Sequence, residues 1–305
     1  MIATAAWHGG GLIARATLHL VSGPLSGLDS IWTQPFLRYA FGAGAAIAAA
    51  AGLVGYFIVL RSQVFTGDAL SHVAFTGALA ALAAGADLLI GLYGACVLVA
   101  LAMAALGSRG RADDTVIGSV FAWILGLGAL FLTIYTTSST GAYGTSGINV
   151  LFGTIFGLSA TQALVDAVVA LAVCAAMIVI ARPLLFASMD EAVASARQVP
   201  VRTLGFVFLA LVGVTAAAAT QAVGALLLLG LLAAPAGAAQ RMTTQPFRGM
   251  WLSAGLSIFS MWGGLVIAYA APRIPPSFGI LSVATAVYLV ALLFTSSGRR
   301  PVATA

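Results

Sequence analysis

Long apolar stretches separated by short polar connections dominate this chain. A helix needs about 20 largely apolar residues to cross the hydrocarbon core of a bilayer. The apolar positions run continuously and do not alternate, which favours membrane-spanning helices over the strands of a barrel. The second stretch is short and rich in Ala and Gly, which is typical of a tilted or re-entrant piece, so we predict eight or nine spans. They lie at residues 37–60, 70–86, 88–106, 115–136, 161–181, 203–219, 222–240, 249–270 and 277–295.

Composition supports a membrane protein and excludes a soluble one. Of the 305 residues, 61% are hydrophobic and only 7% are charged, which is too little charge to cover the surface of a soluble domain. With lipid as the main solvent, the backbone polar groups must bond to one another, as they do in helices. The predicted fold class is therefore all-α, a polytopic integral membrane helical bundle.

The distribution of arginine predicts how this bundle is oriented. The chain has 13 basic residues, all of them Arg, and cytoplasmic loops of membrane proteins carry an excess of positive charge. If nine spans alternate, most of the arginines fall on one side, which places the N-terminus outside and the C-terminus in the cytoplasm. The arginines on the cytoplasmic side are Arg61, Arg109, Arg111, Arg182, Arg197, Arg202, Arg241, Arg248, Arg299 and Arg300.

The remaining segments are short. Residues 1–36 lack the apolar core of a signal peptide, although residues 12–21 have the composition of an interfacial helix. Residues 37–295 form the predicted transmembrane domain, and residues 296–305 form a cytoplasmic tail. Cys96 and Cys174 lie inside apolar runs, where a thiol usually acts as a small buried hydrophobic group.

Asp68 and His72 are the most informative polar pair. At positions i and i+4 they share one helix face, and a carboxylate with an imidazole suits a divalent cation such as Zn²⁺. Ionisable residues at membrane depth usually mark a pathway. The alternative is that Asp68 caps the N-terminus of its helix, where the dipole favours an anion, with His72 at the interface. Spacing alone leaves both open.

The longest cytoplasmic loop covers residues 182–202 and contains a predicted short helix. Asp190 and Glu191 fall in its first turn and Arg197 near its end, which matches the helix dipole. Such a short helix is marginal by itself, so it fits either a docked position on a cytoplasmic partner or a solvated loop.

Two further residues interrupt the apolar spans. Pro235 removes a backbone hydrogen bond and predicts a kink, which is a possible hinge or only the ordinary use of Pro in membrane helices. Asp166 lies near the outer end of the fifth span, where it faces a pathway or bonds to a neighbouring helix.

The missing motifs argue against an enzyme. A phosphate-binding Gly-rich loop needs a Lys, and the chain has none. The sequence also contains no HExxH and no GxSxG motif. If ATP is used, another subunit must hydrolyse it.

Several motifs together resemble the zinc/manganese/iron class of ABC transporter permeases. They occur in the order of that family and cover about residues 36–295. The chain departs from the family at Met189, where Phe is usual, and at Gln198, near which Gly is usual. The matching motifs are Phe36-Leu37-Arg38, Leu60-Arg61, Gly67-Asp68-Ala69-Leu70-Ser71-His72, Asp113-Asp114-Thr115-Val116-Ile117-Gly118, Leu151-Phe152-Gly153, Asp190, Val223-Gly224-Ala225-Leu226-Leu227 and Pro235-Ala236.

This resemblance implies a type II ABC importer-like permease in a bacterial cell membrane. It implies a homodimer with two cytoplasmic ATPase subunits and an extracytoplasmic metal-binding protein. Asp68 and His72 would lie on the metal route, and residues 189–201 would form the coupling helix on the ATPase. The polar outer loop at residues 137–149 would then be a docking surface for the binding protein. No permanently bound cofactor is expected, because the metal ion is the cargo, with zinc favoured over manganese or iron.

A rival hypothesis from another class is a secondary metal transporter coupled to protons. It would use Asp68, His72 and Asp166 as a relay and would need no ATPase. Transport by the chain alone, driven by a pH gradient, separates the two hypotheses.

Overall fold

The computed structural model describes residues 34–107, 114–138, 151–225 and 228–298, and the regular structure in these ranges is helical. The predicted interfacial helix at residues 12–21, the polar loop after residue 138 and the tail after residue 298 lie outside the described residues. The helices are α1 Pro35–Leu60, α2 Val64–Ala83, α3 Leu88–Leu106, α4 Asp114–Ser138, α5 Ala160–Met189, α6 Glu191–Ala196, α7 Val201–Val223, α8 Leu228–Met242, α9 Pro246–Ala270 and α10 Pro276–Gly298, with a 3₁₀ turn at Ile155–Gly157.

The helices confirm the predicted multi-pass bundle. Seven of them are long and apolar enough to cross a membrane, namely α1, α3, α4, α5, α7, α9 and α10. The other two predicted spans correspond to α2, with 20 residues, and α8, with 15 residues. At 1.5 Å per residue α8 is about 22 Å long, against about 30 Å of hydrocarbon. The short span is therefore the seventh and not the second.

Helix α1 lies at the centre of the bundle and packs against α5, α8 and α9. Small residues allow the closest approach. A Cβ added at Gly52 would lie 2.6 Å from the Cα of Ala254 in α9. Beside it, the hydroxyl of Ser253 donates a hydrogen bond of 2.7 Å to the carbonyl of Gly52. This is the packing by small residues and interhelical hydrogen bonds that holds membrane helices together.

Helix α5 extends beyond its predicted end. Its N-terminus is fixed by a capping box in which Ser159 and Gln162 each bond the backbone of the other. The helix then continues past residue 181 to Met189, through Pro183. Its 30 residues measure about 45 Å, which exceeds the hydrocarbon thickness by about 15 Å. The predicted loop at residues 182–202 is therefore helical in its first part.

The predicted seventh span is divided at its start. Residues 222 and 223 belong to α7, and the C-cap of α7 is Gly224, a glycine with φ +97° and ψ 153°. Gly153, with φ +74°, crosses Gly224 so closely that a Cβ on Gly153 would lie 2.5 Å from the carbonyl oxygen of Ala222. The amide of Thr154 also donates to the carbonyl of Gln221 at 3.2 Å. This glycine crossing joins the segment before α5 to the connection between α7 and α8.

Candidate metal pathway and coupling segment

Asp68 and His72 lie on the face of α2 that is turned toward α4. Helix α2 starts six residues earlier than predicted, and its N-cap is Gln63. Asp68 therefore lies inside the helix, and its interpretation as the helix cap is wrong. The imidazole of His72 packs edge-on against the ring of Phe121 in α4, with centroids 5.2 Å apart. Both polar side chains are partly buried.

The packing of α4 on α2 holds this face in place. One turn beyond His72, the hydroxyl of Thr76 donates a hydrogen bond of 3.1 Å to the carbonyl of Ile124. The absence of a side chain at Gly128 allows this approach, since a Cβ there would lie 2.8 Å from the Thr76 hydroxyl oxygen. The α2–α4 pair is thus a packed unit with Asp68 near the N-terminal end of α2.

A cavity of about 300 Å³ opens between the N-terminal ends of α2 and α4. Asp68 and Asp114 both line it, and Phe65 and Phe121 supply apolar wall. Asp114 is the first residue of α4, where the helix dipole favours an anion. Asp114 belongs to one of the family motifs in the sequence, but it was not among the predicted site residues. The available signal was an acidic residue directly before an apolar span.

The chemistry of this cavity suits the transit of a cation. Carboxylates and an imidazole are ligands for divalent transition metals. Among the described residues no group of three or more His, Cys, Asp or Glu side chains is placed to hold a metal ion. Asp68 and Asp114 line the cavity, whereas His72 does not line it and packs on the ring of Phe121. The three residues therefore offer separate contact points, and weak contacts of this kind allow a conducted ion to leave.

Asp166 has a different environment. Its side chain is fully buried in α5, and the hydroxyl of Tyr93 in α3 donates a hydrogen bond of 2.8 Å to its Oδ1. Its Oδ2 has no hydrogen-bond partner within the described ranges. Asp166 does not line the cavity that contains Asp68. The structure thus places it in an interhelical hydrogen bond, while a role for Asp166 in the metal pathway stays a prediction.

The predicted coupling segment forms a separate short helix between α5 and α7. Asp190 ends α5 and caps α6, since its Oδ1 accepts a hydrogen bond of 2.9 Å from the amide of Val193. The apolar side chains of Phe186, Met189 and Val193 are exposed at this end. Arg197 follows the last residue of α6 and is also exposed. An exposed apolar surface with charges around it is typical of a site that binds another protein.

The base of α6 packs on the bundle through a small apolar cluster of Ala187, Ala194 and Val201. Beside it, a cavity of about 510 Å³ is lined by Glu191, Ser195 and Arg202 together with Gly107 at the end of α3. The coupling segment therefore contacts α5 and α7 directly and faces the C-terminal end of α3 across an open cavity.

Gln198 explains one departure of this chain from the family pattern. Its φ is +60°, in the left-handed region that glycine adopts without steric cost. Its amide donates to the carbonyl of Ser195 at 3.0 Å, and the amide of Val199 donates to that of Ala194 at 3.1 Å. These bonds close the C-terminus of α6. A glycine near this position would therefore make the same turn with less strain.

Pro235 lies in the middle of α8 with its side chain buried. The ring removes the backbone donor that would reach the carbonyl of residue 231, yet α8 is assigned without interruption from Leu228 to Met242. The side-chain amide of Gln240 donates to the carbonyl of Tyr56 at 3.0 Å and ties this helix to α1. The hinge role of Pro235 stays a prediction.

Comparisons with known proteins agree with the fold. Residues 33–295 match the ABC 3 transport family. The chain is 28% identical over 271 residues to the manganese transport system membrane protein MntC of Halalkalibacterium halodurans, covering 88% of this chain and 90% of that protein. It is 28% identical over 244 residues to the manganese import system permease protein ScaB of Streptococcus parasanguinis, covering 80% and 85%. Its structure is similar to that of PsaBC from Streptococcus pneumoniae in complex with Fab, with a TM-score of 0.76, 25% identity, and coverage of 88% and 95%.

Proposed function

Because the chain belongs to the ABC 3 transport family, we propose that it is the membrane permease of an ATP-driven importer for a divalent transition-metal ion. The observation that carries this proposal is the cavity at the cytoplasmic ends of α2 and α4, where Asp68 and Asp114 face one space. ATP hydrolysis belongs to a separate subunit. This permease supplies the route for the ion and the surface that receives the motion of the ATPase.

The ion route runs along the α2–α4 face. Asp68 and Asp114 give a cation two oxygen contacts near the cytoplasmic exit, and His72 gives a nitrogen contact one helical turn deeper. The bundle provides few other charges at this depth, so the carboxylates offset much of the desolvation cost of a dication. The partner permease of a homodimer would complete the surroundings of the ion.

The coupling segment links the ATPase to this route. Closure of two ATPase subunits would move α6, which packs on α5 and α7 through Ala187, Ala194 and Val201. Those helices lie on the same bundle as α2, so movement of α6 changes the access to the cavity from each side in turn. The exposed Met189 and Val193 are the apolar contacts that we assign to the ATPase.

Two ions are candidates for the cargo, each with its own support. The imidazole of His72 favours Zn²⁺, while the carboxylates accept either ion. Relatives at 28% identity bear names that specify manganese, which supports Mn²⁺. Uptake of radiolabelled Mn²⁺ and Zn²⁺ in parallel decides between them.

The test of the function uses the permease reconstituted in liposomes with its ATPase and its binding protein. We expect Asp68→Asn, His72→Ala and Asp114→Asn each to lower ATP-dependent metal uptake by about tenfold or more, as expected on removal of a metal ligand. Assembly with the ATPase, measured by co-purification, should not change. Asp87→Asn is the matched control, because Asp87 is exposed and caps α3 through the amide of Leu89, a task that Asn performs equally well.

Normal uptake by all three variants would remove the α2–α4 face from the route. Uptake by the permease without any ATPase, driven by a pH gradient, would instead favour the proton-coupled transporter. In that case Asp166→Asn should also abolish uptake, since that hypothesis uses Asp166 in its relay.

A further inference from the structure

Arg61 is a buried cation at the junction of α1 and α2. Its side chain is 4% exposed, and it is the C-cap of α1. Its Cζ lies 5.2 Å from the centroid of the Phe208 ring in α7. A guanidinium stays charged in a protein, and its attraction to an aromatic face is strongest where water is excluded. Because Phe208 is also buried, this contact fixes the C-terminal end of α1 against α7.

Phe57 adds a second contact from the same face of α1. Phe57 and Arg61 are four positions apart, so they lie one above the other on the helix. The ring of Phe57 is edge-on to that of Phe208, with centroids 6.3 Å apart and planes at 67°. Phe208 is therefore held between a ring and a guanidinium of the last turn of α1, and a shift of α7 at this point displaces that turn.

The junction from α1 to α2 is short and closed by backbone hydrogen bonds. The amides of Ser62 and Gln63 donate to carbonyls in the last turn of α1, at 3.1 and 2.9 Å. Ser62 has φ +56°, and this pair of bonds around a left-handed residue is a Schellman motif. Gln63 is already the N-cap of α2. Movement of Arg61 is therefore carried into the first turns of α2, which contain Asp68.

The N-terminal end of α7 belongs to the coupling segment. Val201, the first residue of α7, packs in the apolar cluster with Ala187 and Ala194. Phe208 follows Val201 by two helical turns on the same face, which is about 10 Å along the axis. Helix α7 also packs directly on α2. A displacement of α6 therefore has two routes to α2, one through this direct packing and one through the contact of Phe208 with Arg61.

We propose that Arg61 and Phe208 are positioning residues that transmit the movement of the coupling segment to Asp68, an inference that rests on the proposed function as an ATP-driven permease. Arg61 does not line the cavity that contains Asp68, so it acts on the ion route through the placement of α2. Loss of the contact should leave ATP hydrolysis in place and lower the number of ions taken up for each ATP hydrolysed.

The experiment uses the permease reconstituted in liposomes with its ATPase and its binding protein. Uptake of radiolabelled Mn²⁺ and Zn²⁺ and hydrolysis of ATP are measured in the same sample. Arg61→Gln removes the charge and Phe208→Leu removes the ring. We expect each to lower uptake per ATP by about fivefold or more, the lower end of the range for coupling between two sites. The double variant should lose no more than either single variant, because both changes remove the same contact.

Two further variants show whether the contact itself matters. Arg61→Lys keeps the charge without the planar guanidinium and should give an intermediate ratio of uptake to hydrolysis. Phe206→Leu is the matched control, because Phe206 lies 5.9 Å from the Cζ of Arg202 in a pair whose members both belong to α7. Its loss breaks no contact between α7 and the end of α1, so the ratio should equal that of the wild type.

A second measurement needs no transport. Amide hydrogen exchange of residues 67–72 in the purified full-length protein reports the placement of the first turns of α2. Exchange should become faster to the same extent in Arg61→Gln, in Phe208→Leu and in the double variant, and should not change in Phe206→Leu. If the wild type shows no ATP-dependent uptake but exchange follows this pattern, the proposed function fails while the link between α7 and α2 stands.

Three results would overturn the proposal. An unchanged ratio of uptake to hydrolysis with a lower melting temperature would show that the contact only stabilises the fold and that direct packing of α7 on α2 carries the movement. Additive losses in the double variant would show that Arg61 acts independently of Phe208. An equal loss in Phe206→Leu would show that any ring removed from α7 has the same effect.

A milder variant covers the case in which Arg61→Gln or Phe208→Leu does not assemble. Phe57→Leu keeps both members of the pair and removes one of the two groups that hold Phe208. It should lower uptake per ATP by a smaller factor, and a ratio equal to that of the wild type would also contradict the proposal.

Discussion

The crossing of Gly153 and Gly224 predicts an unusually large effect of one methyl group. Gly224 has φ +97° and ψ 153°, in a region that is essentially restricted to glycine, where another residue costs about 1–3 kcal/mol. A Cβ at this position would also lie 2.5 Å from the carbonyl carbon of Phe152 and 2.7 Å from the amide nitrogen of Gly153. Carbon contacts are favourable near 3.5–4.0 Å, so the two backbones must separate by about 1 Å.

Overpacking of this kind adds about 1–3 kcal/mol, and the two costs together come to about 2–6 kcal/mol for Gly224→Ala. That is a large part of the about 5–15 kcal/mol of stability of a typical protein. The measurement is a thermal melt followed by a thiol-reactive fluorogenic maleimide. The chain supplies its own reporters, since Cys96 is fully buried and Cys174 is partly buried.

We expect Gly224→Ala to lower the melting temperature by at least about 5 °C. Gly255→Ala is the matched control, because nothing lies within 4 Å of a Cβ added there. In the interior of α9 that substitution should stabilise the protein by about 0.5–1 kcal/mol. If Gly224→Ala melts within about 1 °C of the wild type, the crossing does not constrain the fold and the argument from its geometry is refuted.

Three further substitutions test the buried and capping interactions. Asp190→Ala removes the hydrogen bond to the Val193 amide, so it should destabilise α6 by about 1 kcal/mol and lower metal-stimulated ATPase activity. Asp190→Asn, which also caps a helix, should retain that activity. Equal activity of the two variants would show that the cap is irrelevant. Tyr93→Phe removes the hydroxyl that donates to the buried side chain of Asp166, so it should lower the free energy of unfolding by about 1–3 kcal/mol. A melting temperature unchanged from the wild type would contradict this. Gln198→Gly should relieve about 1 kcal/mol of backbone strain and therefore slow amide hydrogen exchange in α6. Faster exchange would show that the added entropy of the unfolded chain outweighs the relief of strain.

The spans could be predicted from sequence because the solvent determines them. Lipid requires long apolar helices with internally bonded backbones, and that requirement is visible in any window of the chain. The shared face of Asp68 and His72 was equally accessible, because spacing within one helix fixes it. These are local properties of the sequence.

The features that sequence analysis missed depend on contacts between distant segments. Asp114 joins Asp68 at one cavity only because α4 packs on α2. The division of the seventh span at Gly224 depends on Gly153, about 70 positions earlier in the chain, and the apolar run itself gives no sign of it. The fifth span was predicted to end at residue 181, but α5 continues through Pro183 to Met189, since a helix can contain Pro when neighbouring groups compensate for the lost bond.

The length of α5 has a mechanical consequence. Its N-terminal end is held by the capping box at Ser159 and, two turns further along, by the hydrogen bond between Asp166 and Tyr93. Its C-terminal end is followed directly by α6. A rod of about 45 Å that pivots near its anchored end converts a sideways shift of about 3 Å at the far tip into a tilt of only about 4°. Small changes in the angle between packed helices are therefore enough to accommodate a shift of that size at the end of α5, and the core does not need to repack.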